Sequence, residues 1–425
     1  MADFNPFDPR LRTNPYAVYK ELRQEAPVFW SPVMQLWVLT RYDDCLAVLR
    51  DHARFSSERT RATNRFVQQM EEYRQASGPI GRTPTMLSLD PPAHTRMRNL
   101  VNKAFTPRVV ERSRPRIQAI AGSLLDDLPE PGRLDVIADL AIPLPVIVIA
   151  EVLGVPADDR QRFKAWSSDI AGTLGGPFQP LDVLDRARVS SNELADYFRE
   201  QIAARRRAPR DDLLSALIAA EEQGDLLNED ELLATCILLL VAGNETTTNL
   251  IGNGMLALIE NPDQRRRLQA DASLIPVAVD EMLRYDPPAQ MTSRIALEET
   301  ELRGGRFEPG QVVLAVLAAA NRDPEQFPDP DRFDVGRANN RHLAFGYGIH
   351  YCLGAPLALA EAQVAFETLL RRLPEPELAG EPQRGPSFIL RGLRSLPVRS
   401  SVPRAARPGQ AGKRANGQRS GMGRR

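Results

Sequence analysis

Cysteine is scarce in this 425-residue chain: Cys45, Cys236 and Cys352 lie far apart and form no CxxC pair. That spacing argues against a disulfide framework or a thiolate zinc cluster, and it suits a reducing cytoplasm. Long apolar runs are also lacking. The longest, residues 232–243, is too short to cross a bilayer and ends in polar residues. The first twenty residues hold no apolar stretch of the secretory kind, so no signal peptide and no membrane partner are expected. Net charge is only -1, which argues against nucleic acid as the main partner. No GxGxxG follows a strand pattern, so the chain carries no flavin or nicotinamide fingerprint of its own. No internal repeat is visible, and the 35 prolines are scattered rather than gathered into a linker.

Apolar residues make up 43% of the chain, enough to bury a large core. The small net charge hides an asymmetry. Residues 399–425 contain eight Lys or Arg and no acid; without them 46 basic residues face 55 acidic ones. That tail is rich in Pro, Gly, Ala and Arg with little to bury, so it is expected to be disordered. One domain is expected over 1–398. Helical patterning dominates it. Asn14-Pro15 opens an early helix, residues 28–41 alternate like strands around a turn, and a short helix follows over 42–50. Residues 54–88 are polar and irregular and are expected to form a long loop. Helices are expected near 91–104, 108–127, 142–153, 157–172, 183–206, 229–260, 274–285 and 356–372. The 229–260 helix, with Asn228 and Glu231 in capping-box spacing, would run about 48 Å. Short strands fill 292–318. The class is mostly α with a minor β part.

One stretch demands an explanation. Residues 342–362 read HLAFGYGIHYCLGAPLALAEA. A cysteine just before a helix sits at the positive end of the helix dipole, where thiolate is favoured. Gly346, Gly348 and Gly354 remove side chains where a flat group must come close. His350 can donate to an acidic edge, and Phe345 offers an apolar wall. Together they describe a thiolate presented to a bulky planar metal cofactor.

FGYGIHYCLG resembles the haem-binding loop of the cytochrome P450 monooxygenases in their soluble bacterial form. The resemblance implies a single P450-like domain with haem between a long central helix and the cysteine loop. Cys352 would be the axial thiolate on iron, with Phe345, His350 and Gly354 beside the haem. A second stretch, LLLVAGNETTTNL, carries Ala242, Gly243, Glu245 and Thr246. Buried polar groups in an apolar helix need partners, and Gly243 leaves room for a small ligand. The family has the same pattern over the oxygen side of the haem. It implies that Glu245 and Thr246 are the catalytic acid–alcohol pair that passes protons to the oxygen site.

Further marks follow in the family's order. VDEMLRYDPP holds Glu281 and Arg284, three apart on one helix face. The resemblance implies a structural triad completed by an arginine of the later irregular stretch, taken as Arg332. His94 and Arg98, at i and i+4, with Arg294 and His350, would hold the haem propionates. Substrate lining would come from the 54–88 loop, Leu87, the 172–185 stretch, Leu239, Ala242, Gln290, Met291 and Ile389, most of them apolar and uncharged.

The reading is a haem-thiolate monooxygenase that inserts one oxygen atom from O2 into an apolar small molecule, by hydroxylation or epoxidation. Candidate substrates are secondary metabolites, terpenoids, steroids and fatty acids. Haem b (iron protoporphyrin IX) is the expected cofactor. Electrons would come from NAD(P)H through a separate ferredoxin and its reductase, docking near Arg96, Lys103, Arg371 and Arg372. The protein is expected to be cytoplasmic and monomeric. A peroxide-driven peroxygenase and a non-enzymatic haem sensor are the rival readings; neither needs the Glu245–Thr246 pair.

Overall fold

The computed structural model describes residues 4–5, 8–76, 79–156, 159–173, 181–222 and 227–400. Its axis is the helix Glu229–Glu260. Asn228 caps that helix as its spacing predicts: its side chain accepts the Glu231 N–H, and the Glu231 carboxylate accepts the Asn228 N–H. Three acidic residues in the first turn complement the helix dipole. Beyond that turn apolar residues predominate, apart from the polar run 244–249 used at the site below, and most of the helix is buried. Helices Pro143–Leu153, Arg160–Gly172, Leu181–Arg207 and Ala355–Arg372 pack on it. Residues 136–153 are apolar and long enough to span a membrane, but 67% of that stretch is buried among these neighbours. It is a core segment by contact.

The β part is small and lies to one side. Its main sheet has five strands in the order Val28–Ser31, Leu36–Leu39, Val312–Ala315, Thr292–Ala296 and Phe55–Ser56. The second and third strands of that order are parallel, with Trp37 opposite Val313, and the other neighbours are antiparallel. The strand Thr292–Ala296 follows the helix Ile275–Tyr285 after a short turn, so helix and sheet together form one wall of the cavity described below.

Three expectations are corrected. Residues 54–88 are not a continuous loop: they contain the helices Arg65–Ala76 and Pro79–Arg82. Phe66, Met70 and Tyr73 form a narrow apolar stripe at helical spacing, which the many polar neighbours hide. Helices Leu213–Glu222 and Pro262–Ala270 were not expected; the second is almost wholly polar. Arg399 belongs to the strand Pro397–Arg399, which pairs with Arg133–Asp135 and Glu377–Leu378, so the tail boundary lies later than 399. Residues 401–425, most of the expected tail, lie outside the described residues.

Candidate active site

The cysteine loop is held by its own backbone and by the helix Tyr42–Arg50. Cys352 N–H donates to the Phe345 carbonyl at 2.9 Å, and Gly346 N–H to Leu343 at 2.8 Å. Gly348 has φ 73°, and a Cβ there would lie 2.5 Å from the Leu49 carbonyl oxygen. Only glycine allows that contact. The chain then enters the helix Ala355–Arg372, with Pro356 in its first turn. The Cys352 sulfur accepts from the Gly354 and Ala355 N–H groups. Burial nevertheless pushes the thiol above its ordinary value, against the pull of those N–H groups and of Arg98. The helix end alone does not offset that burial. A sulfur in this setting ionises when a metal cation binds it.

Cys352 faces a cavity of about 410 Å³ between the loop and the long helix. Phe345, Gly346, His350 and Gly354 line it on the loop side, and Ala242, Gly243, Glu245, Thr246 and Thr247 on the helix side. A Cβ at Gly243 or Gly354 would meet no protein atom within 4 Å, so protein packing does not explain these glycines. Arg98 and Arg294 also line the cavity. Arg98 donates to the Tyr351 carbonyl at 2.6 Å. His94 stands behind His350, ring centroids 4.4 Å apart. Both His94 nitrogens and His350 Nε2 are buried without a partner. Burial pushes His350 down to about 3, helped by Arg294, and Arg294 itself down to about 10. His94 is lowered by burial and then by Arg98. Four basic side chains converge on one edge with buried donors unused, which is costly unless an anionic group binds there. A planar metal cofactor with two carboxylates fits this cavity: sulfur on its face, flat clearance at the glycines, cations at its acidic edge.

On the opposite wall, burial raises the Glu245 carboxyl above its ordinary value, offset in part by Asn249 and Arg394. Asn249 Nδ2 donates to Glu245 Oε1 at 3.5 Å. Thr246 Oγ1 donates to the Ala242 carbonyl at 3.0 Å, one helical turn back. Asn244 turns away, its amide donating to Ser167 Oγ at 2.9 Å.

A second carboxylate went unnoticed in the sequence. Glu361, 2% exposed, lies in the cavity wall. Burial pushes it up to about 8, and the Thr247 hydroxyl lowers it only in part. That raised value favours the protonated form in the folded protein. An unfolded Glu ionises near pH 4.5, so the folded state holds the extra proton between these values. Stability from this group falls as pH rises from about 4.5 to about 8. Glu361→Gln should flatten that limb of the unfolding midpoint against pH; an unchanged slope would mean that Glu361 is ionised.

Of the expected substrate contacts, Leu87, Leu239, Ala242 and Met291 line the cavity, Leu87 from a position 59% exposed at its edge. Gln290 and Ile389 do not. Gln290 is buried on the other side, its amide donating to Pro287 at 2.7 Å, and Ile389 packs with the N-terminal cluster. Ala289 and Leu390 take their places, because neighbouring residues in extended chain face opposite ways. Met86 also lines the cavity. Of the 172–185 stretch, residues 174–180 lie outside the described residues.

The triad is corrected at its third member. Glu281 and Arg284 are both fully buried and paired at 2.7 Å. The guanidinium that joins them is Arg337, whose Nε lies 3.1 Å from Glu281 Oε2. Arg332 contributes only its backbone carbonyl, which accepts from Arg284 at 3.1 Å and Arg337 at 2.9 Å. Asn340 also donates to Glu281, at 3.1 Å. Removing one partner of a buried pair costs about 3–5 kcal/mol. Arg337→Met should lower stability by an amount of that order, and Arg332→Met by less than about 1 kcal/mol. Thermal unfolding of the two variants distinguishes the assignments.

Two of the expected docking cations are engaged within the chain. Arg96 pairs with Glu231 at 2.5 Å and Arg372 with Asp126 at 2.5 Å. Lys103 and Arg371 are exposed.

Comparison with known proteins agrees with the geometry. The Cytochrome P450 family profile matches residues 181–383. The polyketide biosynthesis cytochrome P450 PksS of Bacillus subtilis (strain 168) is 38% identical over 93% of this chain and 98% of its own. The cytochrome P450 monooxygenase PikC of Streptomyces venezuelae is 42% identical over 94% of each chain. The crystal structure of a myxobacterial cytochrome P450, CYP267B1, in complex with myristic acid, superposes with TM-score 0.85 at 44% identity, over 93% of this chain and 99% of that one. A cysteine loop facing a helix that carries an acid–alcohol pair, on this fold and with these relatives, shows that the chain belongs to the cytochrome P450 family and is a monooxygenase of the bacterial type.

Proposed function

We propose that the chain binds haem b through Cys352, takes electrons from NAD(P)H by way of a ferredoxin and its reductase, and hydroxylates or epoxidises an apolar small molecule. The observation that carries this reading is the cavity with Cys352 on one wall and Glu245 and Thr246 on the other. Haem bound there supplies dioxygen binding and activation, and the thiolate favours O–O cleavage. The chain's own residues do the rest. Arg98, Arg294 and His350 would hold the propionates, with the His94 ring tilted behind His350. Glu245, its carboxyl raised by burial, is the acid that supplies a proton at the cavity. The Thr246 hydroxyl rotates from the Ala242 carbonyl and passes that proton toward the oxygen site. Leu87, Leu239, Ala289, Met291 and Leu390 exclude water and present an apolar wall to substrate.

The charged groups of the wall belong to the propionate edge or to proton handling, and none is left to anchor an ionic substrate in the apolar part. Neutral polyketide, terpenoid and steroid scaffolds fit best, and the relative crystallised with myristic acid keeps fatty acids in the candidate set. The exposed Lys103 and Arg371 suit an acidic ferredoxin. The chain acts as a cytoplasmic monomer. The test is turnover of the haem-loaded protein with ferredoxin, reductase and NADPH, over a panel of these classes chosen by haem Soret shift. Product formed in step with NADPH supports the reading. Faster turnover with hydrogen peroxide would favour a peroxygenase, and haem without turnover by either route a sensor.

A further inference from the structure

Two wall segments of the cavity meet away from the cysteine loop. Residues 287–292 follow the helix Ile275–Tyr285, and residues 389–392 return from near the C-terminus. They join through one isolated antiparallel bridge, Ala289 opposite Leu390. Gln290 N–H donates to the Ile389 carbonyl at 2.9 Å, and Arg391 N–H to the Pro288 carbonyl at 2.7 Å. Ala289, Met291 and Leu390 face the cavity. A single bridge fixes register weakly. A slip by one residue would turn Gln290 or Ile389 inward.

One buried cluster ties both segments to the rest of the fold. Asp286, 7% exposed, accepts from the Tyr16 hydroxyl at 2.5 Å and from Arg391 Nε at 2.8 Å, while Arg384 Nη1 lies 3.4 Å from its other oxygen. Arg391 Nη2 also donates to the Thr13 carbonyl at 3.1 Å. Asn253, on the long helix seven residues past Thr246, donates to the Asp286 carbonyl at 3.2 Å and the Arg391 carbonyl at 3.0 Å. One carboxylate and one amide therefore hold both wall segments against the long helix and the N-terminal helix Pro15–Glu25. The Arg322 guanidinium lies 3.6 Å over the Tyr16 ring and fixes it. At Gly392 a Cβ would fall 1.7 Å from Asn249 Oδ1, so the returning segment lies flush on the long helix.

We propose that the Tyr16–Asp286–Arg391–Asn253 cluster is a clamp that sets the shape of the substrate cavity. Its members are positioning residues for substrate selection, acting through Ala289, Met291 and Leu390. Tyr16 does so from the N-terminal helix, 270 residues from its partner. The inference rests on the cavity being the haem and substrate site.

The test uses haem-loaded Tyr16→Phe and Asp286→Asn with two probes of different shape, 1-phenylimidazole and 4-phenylimidazole, whose binding is read from the Soret band. Haem content and the carbon monoxide band should match wild type. The ratio of the two dissociation constants should move by at least about threefold, since small displacements of a site wall are strongly felt. Tyr16→Phe keeps the ring stack and decides the matter if Asp286→Asn does not fold. An unchanged ratio in Tyr16→Phe, with only a lower unfolding midpoint, would make the cluster merely structural and overturn the clamp. A wild-type protein that takes up no haem would instead overturn the reading of the cavity itself.

Discussion

Cys352→Ala should abolish the thiolate-type carbon monoxide band and reduce oxygenation to background, a loss of at least about 10³-fold, or about 4 kcal/mol in barrier. The reason is local. No other cysteine can substitute: Cys45 and Cys236 are both buried elsewhere, their thiols pushed well above the ordinary range by burial. Cys352 is the sole cysteine in the wall, and among the described residues no cluster of three His, Cys, Asp or Glu side chains could hold a metal. Haem uptake should persist in part, because Arg98, Arg294, His350 and the apolar wall remain. The informative measurement is the reduced carbon monoxide spectrum of Cys352→Ala beside its haem content. A retained thiolate-type band would assign the ligand to another residue.

Thr246→Ala should separate electron use from product. NADPH consumption should stay within about threefold of wild type, while product per NADPH falls about tenfold or more, within the range of a lost proton-transfer group. The hydroxyl is the one side-chain donor of this turn that faces the cavity and can leave a weak helix bond; Asn244 is committed to Ser167 and Thr247 to Glu361. Glu245→Gln tests the partner. Burial raises the Glu245 carboxyl, so wild-type coupling should fall as pH climbs through that raised value and the proton is lost. The Gln variant should be slow at every pH and lack that limb. Peroxide and product measured together give the ratio. Normal coupling in Thr246→Ala would remove the hydroxyl from proton delivery.

Much of this site could be read from residues near one another in sequence. The cysteine loop is one continuous stretch whose glycines, histidine and aromatic have meaning only together. The acid–alcohol pair sits within a single turn of a helix whose capping box was also visible. Other parts depend on distant packing. The irregular stretch offers several arginines, and the turns that carry Arg337 rather than Arg332 to Glu281 have no simple period. Gln290 and Ile389 were each one residue from the cavity-facing position, because facing alternates in extended chain and nothing local fixes the phase. Glu361 has the spacing of the apolar face of its helix, alongside Leu357 and Val364, and that misplaced charge was the available signal. It was missed because a lone acid on a helix usually faces water.

Glu231 is shared between two tasks: it closes the capping box of the long helix and pairs with Arg96. Arg96 belongs to the helix Ala93–Asn102, which also carries His94 and Arg98. Opening of the first turn of the long helix would release Arg96 and loosen the element proposed to grip the cofactor's acidic edge. Cofactor uptake and the protection of that turn from solvent exchange are two readings of one equilibrium. Occupancy of the cavity would then be registered at the start of the long helix, several turns before Glu245 and Thr246.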